Sequence, residues 1–202
     1  MPDGTTLVVD YGAGNLRSAA KALEAAGATV VVSGEVADVA AADRIVLPGV
    51  GAFAQCIGAL RDKPGLVDAL DRAVHRDGRN FLGICVGMQL LASRGREHGD
   101  HAGLDWIPGE VVRLEPSDPT LKVPHIGWND VRATAPGFTE GSGYFVHSYR
   151  FVPDDDADVI ATTDHGGEFA AVVRRGNVTG VQFHPEKSQG YGLGFLRDWL
   201  AS

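Results

Sequence analysis

The chain has 202 residues and a formal net charge of −8, a size that predicts one domain over 1–202 with its own core. With 44% hydrophobic and 22% charged residues it has the balance of a soluble globular protein, and its negative charge excludes general binding to nucleic acid or to an anionic membrane surface. No stretch is long and apolar enough to span a bilayer, Met1-Pro2-Asp3-Gly4 lacks the regions of a secretory signal, and two cysteines, Cys56 and Cys85, make no disulfide framework, so a reducing cytoplasm is expected.

The N-terminal half alternates strand and helix. Thr6–Asp10 reads as a strand. Residues 15–26 read as a helix with Leu16, Ala19, Ala20, Leu23 and Ala26 on one stripe and Gly27 as its stop. Thr29–Val32 and Arg44–Leu47 are further strands, Phe53–Arg61 and Leu66–Arg76 helices, and Phe81–Ile84 a strand. Continuous apolar strands between helices predict a mostly parallel central sheet covered on both faces, hence an α/β fold. Ligands bind at the carboxyl ends of such strands. After Gly103 short strands crowd together at 109–114, 143–147, 150–152, 158–162, 168–174 and 178–183, which predicts additional mixed or antiparallel strands in the C-terminal half. A helix over 191–200 closes the chain. Residues 94–101 read as an exposed loop and Asp154-Asp155-Asp156 as a solvated turn.

Three segments carry chemistry. In Gly83-Ile84-Cys85-Val86-Gly87-Met88-Gln89 a cysteine sits at the corner between a strand and a helical run. Flanking glycines permit a strained turn that lifts the side chain out of the sheet, and a following helix N-terminus favours thiolate. On this segment alone, a buried cysteine packing as a small hydrophobe is an equal reading. In Gln182-Phe183-His184-Pro185-Glu186 the strand ends before Pro185. His184 and Glu186 would then share one side of an extended stretch, about 7 Å apart, close enough for a carboxylate to orient an imidazole. A surface histidine with an unrelated carboxylate is the alternative; the elbow cysteine favours the triad. In Pro48-Gly49-Val50-Gly51 a turn can aim backbone N–H groups at an oxyanion, though Pro-Gly turns are common. Cys56, in the 53–61 helix, reads as packing.

These motifs resemble the class I, triad-type glutamine amidotransferases. Asp10-Tyr11-Gly12-Ala13-Gly14-Asn15-Leu16, Pro124-His125-Ile126-Gly127-Trp128-Asn129, Tyr144-Phe145-Val146-His147-Ser148-Tyr149 and Pro185-Glu186-Lys187-Ser188-Gln189 are similar, within that family, to glutaminase subunits of imidazole glycerol phosphate synthases. The resemblance covers nearly the whole chain. It implies Cys85 as nucleophile, His184 as base and acid, and Glu186 as its orienter. Gly49, Val50, Gly51 and Val86 would supply oxyanion donors. Gln89, Glu97, His147, Ser148 and Tyr149 would grip glutamine, although His147 and Tyr149 read equally as core or turn residues. With the whole chain used by the glutaminase, the acceptor chemistry belongs on another chain, and the resemblance implies a (β/α)₈-barrel cyclase subunit. Asn15, Trp128, Asn129 and Lys187 are expected at that interface, with a core tryptophan as the alternative for Trp128.

No cysteine pair or histidine cluster has zinc-ligand spacing, so neither metal nor cofactor is expected. Gly12-Ala13-Gly14 follows a strand, but Arg17 stands where a dinucleotide fingerprint needs its third glycine. The rival functions are an amidotransferase for another acceptor, a cysteine peptidase or γ-glutamyl hydrolase, and a non-catalytic binding module.

Overall fold

The computed structural model describes residues 4–202; the reading of Met1–Asp3 as lacking a secretory signal lies outside them. Strand β1 (Thr5–Val9) leads into helix α1 (Leu16–Ala26), then β2 (Thr29–Ser33), a short α2 (Val36–Ala41) and β3 (Arg44–Gly49). Helices α3 (Phe53–Arg61) and α4 (Leu66–Asp71) follow. The expected helix over 66–76 changes character at Arg72 and finishes as a π-helical turn through Arg76. Strand β4 (Asn80–Cys85) runs straight into α5 (Val86–Gln89).

These strands behave as their composition demands. In β1, Leu7, Val8 and Val9 are fully buried, as are Ile45, Val46 and Leu47 in β3 and Phe81 and Leu82 in β4. Each such side chain contributes about 1.5–3 kcal/mol of burial, so only a position covered on both faces satisfies the run. The α1 stripe is buried at Ala19, Ala20 and Leu23, and Gly27 ends the helix at φ 108°, its N–H closing on the last carbonyls.

The second half holds short β5 (Arg94–Gly95) and β6 (His101–Ala102), then β7 (Gly109–Arg113), β8 (His125–Ala133), β9 (Gly141–His147), β10 (Tyr149–Pro153), β11 (Val159–Asp164), β12 (Glu168–Arg175) and β13 (Val178–Val181), closed by α6 (Gln189–Ala201). The expected loop over 94–101 therefore contains a strand and borders another, and β8 is a strand that sequence periodicity did not reveal. The main sheet has nine strands in the order β2-β1-β3-β4-β13-β12-β11-β8-β9. The run from β2 to β13 is parallel, and β12, β11, β8 and β9 continue it antiparallel. A second sheet, β10-β7-β5-β6, stands beside it. Register brings Gly49 at the end of β3 level with Cys85 at the end of β4, and β13 pairs in parallel with β4 up to Val181↔Ile84. The carboxyl ends of three adjacent parallel strands thus deliver the Pro-Gly-Val-Gly turn, the cysteine and the histidine to one edge. No helix among the described residues is long and apolar enough to cross a membrane.

Candidate active site

Cys85 adopts φ 55° and ψ −111°, a conformation a side-chain-bearing residue holds only when its surroundings enforce it. The strain sits on the cysteine itself. Gly83 and Gly87 carry no positive φ, so they are needed for space and not for turning. A Cβ on Gly83 would lie 2.5 Å from the Gly87 carbonyl oxygen, and one on Gly87 only 1.9 Å from the Leu47 carbonyl oxygen. The glycines let α5 sit down on β3 and β4, and that packing pins the elbow. The helix behind the sulfur is a single turn ending at Gln89, so its dipole is a small influence.

His184 lies past the end of β13, which stops at Val181 rather than at Phe183. Its backbone is extended (φ −97°, ψ 101°), and Pro185–Lys187 form a 3₁₀ turn. Glu186 therefore reaches His184 from a turn and not along an extended stretch. The contact is nevertheless made: Glu186 Oε1 lies 2.8 Å from His184 Nδ1. A carboxylate can only accept, so Nδ1 donates and Nε2 is left for the cysteine side. Both side chains are under 5% exposed. The loop is tied to β9 as well. His184 N–H donates to the Tyr144 carbonyl, Tyr144 N–H donates to Ser188 Oγ, and that hydroxyl donates to the His184 carbonyl at 2.6 Å.

Burial opposes charge on His184, but hydrogen bonds to Cys85 and Glu186 and the charges of both raise its pKa to about 9. Near neutrality the ring is an imidazolium between a carboxylate and the Cys85 sulfur. The Cys85 Sγ also lies 3.9 Å from the Val146 carbonyl oxygen and 3.7 Å from Gln182 Nε2. Gln182, fully buried in an otherwise apolar segment, was not among the expected site residues. A buried amide within an apolar run was the available signal.

Cys85 and His184 open onto a cavity of about 270 Å³ also lined by Val50, Gly51, Val86, Gln89, Glu97, Pro124, Val146, His147, Ser148, Tyr149 and Lys187. All five expected glutamine-gripping residues meet there. Their polar atoms are partly committed to the scaffold. Gln89 Nε2 donates to the Tyr149 carbonyl and to Gln182 Oε1, each at 3.0 Å. Glu97 Oε2 accepts the Phe53 N–H at the start of α3 at 2.7 Å. His147 donates from Nδ1 to the Tyr149 carbonyl at 2.8 Å and sits 3.1 Å from His125 Nδ1. Burial pushes His147 down to about 3 and His125 down to about 4, so both rings stay neutral and act as framework. Of the expected oxyanion residues, Val50, Gly51 and Val86 line the cavity. Gly49 lies behind them, its Cβ position 2.6 Å from the Gly87 nitrogen.

The expected interface residues are less uniform. Asn15 and Lys187 are exposed. Trp128 is 49% exposed, which disposes of the core alternative; its ring meets Tyr144 edge-on. Asn129 is half-buried and donates from Nδ2 to the Asp164 carbonyl at 2.7 Å, so its amide serves the fold. A larger cavity, about 340 Å³, between α6 and the turn joining β8 to β9 contains none of these side chains.

A family model described as glutamine amidotransferase class-I matches residues 7–200. The chain belongs to the class-I glutamine amidotransferase family. Among its members, a protein of Zymomonas mobilis named "Imidazole glycerol phosphate synthase subunit HisH" is 55% identical, covering 97% of this chain and 95% of its own length. One of the same name from Caulobacter vibrioides is 50% identical, covering 97% of each. A solved structure described as a glutamine amidotransferase superposes with a TM-score of 0.77 at 19% identity, covering 98% of this chain and 99% of that one. That likeness establishes the amidotransferase fold and leaves the chemistry to the side chains.

Proposed function

We propose that this chain is the glutaminase subunit of an imidazole glycerol phosphate synthase of histidine biosynthesis. It hydrolyses glutamine to glutamate and ammonia through Cys85, His184 and Glu186. The observation that carries the chemistry is the buried His184 ring held between the Cys85 thiol and a carboxylate 2.8 Å away, at the mouth of a cavity that ends in polar groups. The Cys85 thiolate attacks the side-chain amide carbon. The His184 imidazolium gives its proton to the leaving ammonia, and the neutral ring then draws a proton from the water that opens the γ-glutamyl thioester. Glu186 holds the ring's tautomer throughout and stabilises its charged form. Backbone N–H groups of Val86 and of the Gly49-Val50-Gly51 segment receive the oxyanion, a donor class whose loss costs on the order of a hundred- to a thousandfold.

The ammonia goes to a (β/α)₈-barrel cyclase subunit, which makes imidazole glycerol phosphate and aminoimidazole carboxamide ribotide. The docking face we assign carries Asn15, Trp128 and Lys187, with Asn129 turned inward behind it and bonded to the Asp164 carbonyl. Ile126 is 61% exposed and Trp128 49%, an apolar pair facing out of β8 just after Pro124, which lines the cavity together with Lys187. Aromatic residues are enriched in interface cores. The relatives' shared name supports the pairing, and two free cysteines suit a cytoplasmic location.

Glutaminase activity is measured on the chain alone and with the cyclase and its ribonucleotide substrate. Low activity alone and strong stimulation together are expected. A Cys85→Ala change should abolish glutamine use and leave ammonia-dependent cyclisation intact. Equal loss of both would overturn the division of labour, and no complementation of the cyclase would overturn the acceptor assignment.

A further inference from the structure

The strand that carries the oxyanion donors is held by two side chains with no part in the triad. Tyr11, on the turn after β1, donates its hydroxyl to the Pro48 carbonyl at 2.9 Å. Cys56, in α3, donates its thiol to the Val50 carbonyl at 3.3 Å. Tyr11 and Cys56 are both buried and lie within electrostatic reach of each other. We propose that Tyr11 and Cys56 are positioning residues that clamp the carbonyls on either side of the Gly49–Val50 peptide, so that this one peptide is the unit whose orientation sets the oxyanion hole.

The geometry gives each clamp a distinct effect. Tyr11 fixes the Pro48–Gly49 peptide plane and Cys56 the Val50–Gly51 plane. The plane between them turns by opposite changes in ψ of Gly49 and φ of Val50, and both flanking carbonyls keep their partners. Glycine at position 49 makes the first change cheap. It also keeps the strand against the elbow, because any Cβ there would strike Gly87. Val50 is exposed at the cavity wall, so its N–H is on hand for an oxygen that becomes negative only in the transition state. Burial raises both the Cys56 thiol and the Tyr11 phenol above their ordinary values. Both keep their protons, and so remain donors, at any pH at which the enzyme works.

This inference rests on the glutaminase reading, and the test separates the two. Wild type, Cys56→Ala, Cys56→Ser and Tyr11→Phe are compared for kcat and KM of glutamine hydrolysis in the complex with the cyclase, each well below its own melting temperature. A donor used only in the transition state affects kcat and not KM. Cys56→Ala and Tyr11→Phe are expected to lower kcat by about tenfold or more with KM within about twofold. Cys56→Ser, which retains a donor, should recover most of the loss. Alkylation of Cys85 by iodoacetamide, which needs the thiolate and no oxyanion hole, should proceed at the wild-type rate throughout. Unchanged kcat in Cys56→Ala or Tyr11→Phe overturns the clamp, as does a serine variant no better than alanine. If Cys56→Ala does not fold, Tyr11→Phe and Cys56→Ser decide the matter. A wild-type complex that releases no glutamate overturns the glutaminase reading instead.

Discussion

Gly87→Ala is the most direct test of how the elbow is built. The added Cβ would stand 1.9 Å from the Leu47 carbonyl oxygen and 3.6 Å from the Gly49 nitrogen, and that first gap must open to at least 3.0 Å. Neither neighbour is a flexible side chain. Leu47 is a central residue of β3, paired with Gly83 in β4, so α5 must lift or the end of β3 must shift. Overpacking of this kind costs about 1–3 kcal/mol, which for a chain of this length lowers Tm by about 2–12 °C. The catalytic cost is larger in proportion. A displacement near 1 Å in a reacting constellation lowers rate on the order of a hundredfold, and here the moving pieces are the Cys85 elbow and the end of β3, to which we assign the nucleophile and the oxyanion donors. The expected Gly87→Ala protein is therefore folded, modestly less stable, and at least about a hundredfold slower in glutamine hydrolysis at saturating substrate. Calorimetry and a glutamate-release assay on the same preparation measure both. A variant with wild-type kcat and Tm would refute the claim that α5 needs a bare backbone at this position.

Three other changes have definite directions. Gly58 lies inside α3 with nothing within 4 Å of its Cβ position, so Gly58→Ala should stabilise by about 0.5–1 kcal/mol with unchanged kinetics, read from urea unfolding; a loss of stability would contradict it. Glu186→Gln removes the charge that helps hold His184 at about 9. Its kcat should fall by about a hundred- to ten-thousandfold, and the alkaline limb of its pH–rate profile should move to lower pH, because burial favours the neutral ring; an unmoved limb would count against the assignment. The buried rings of His125 and His147, held down to about 4 and about 3, make the fold acid-sensitive. Their folded values lie below the unfolded value, about 6.5, so the stabilisation is complete above pH 6.5 and is lost as pH falls toward the folded values. Between pH 6 and 5 the unfolded chain binds nearly two more protons at these sites, about 2 kcal/mol of stability lost per pH unit. His184, protonated in both states there, adds little. Denaturant melts across that range should show this slope, and His147→Gln should reduce it by about one proton's worth; an identical slope in the variant would rule out the histidines as its source.

Legibility in the sequence tracked how local the physical cause was. The parallel strands announced themselves because Leu7-Val8-Val9 and Ile45-Val46-Leu47 need cover on both faces wherever they sit. The Cys85 corner and the His184–Glu186 contact were readable because Cys85 lies between close glycines and Glu186 is two residues from His184, although the route from Glu186 to the ring is a 3₁₀ turn that no alternation pattern encodes. Strand β8 was hidden for the opposite reason. In its first half the inward positions carry His125 and Asn129 and the outward ones Ile126 and Trp128, an inverted pattern that leaves only Val131 as an apolar signal toward the core. The inward polar residues are tolerable only because His147 and the Asp164 carbonyl, both far along the chain, satisfy them. Helix α2 escaped notice because Val39 is its one buried residue.

The same reasoning explains which parts of the site stayed out of view. Gln182 reaches the cysteine sulfur across 97 residues, and Tyr11 reaches the Pro48 carbonyl across 37. Tyr11 is not unusual where it stands in the sequence, Gln182 stands out only as an amide in an apolar run, and each acquires its task only from the fold. A group that changes bonds needs a particular chemistry, so its residue type betrays it. A group that merely holds a reacting segment still needs only a donor at the right point in space, which many residue types at many positions can supply. The inverted first half of β8 is the exception that supports the rule: Ile126 and Trp128 bear on no reacting atom, yet two large apolar side chains turned outward where the inward neighbours are His125 and Asn129 make little sense until something covers them. Substituting Trp128 by alanine should therefore weaken association with the cyclase, measured by titration calorimetry, while the isolated chain keeps its Tm. A folded variant that binds as tightly as wild type would leave that exposed pair without a purpose.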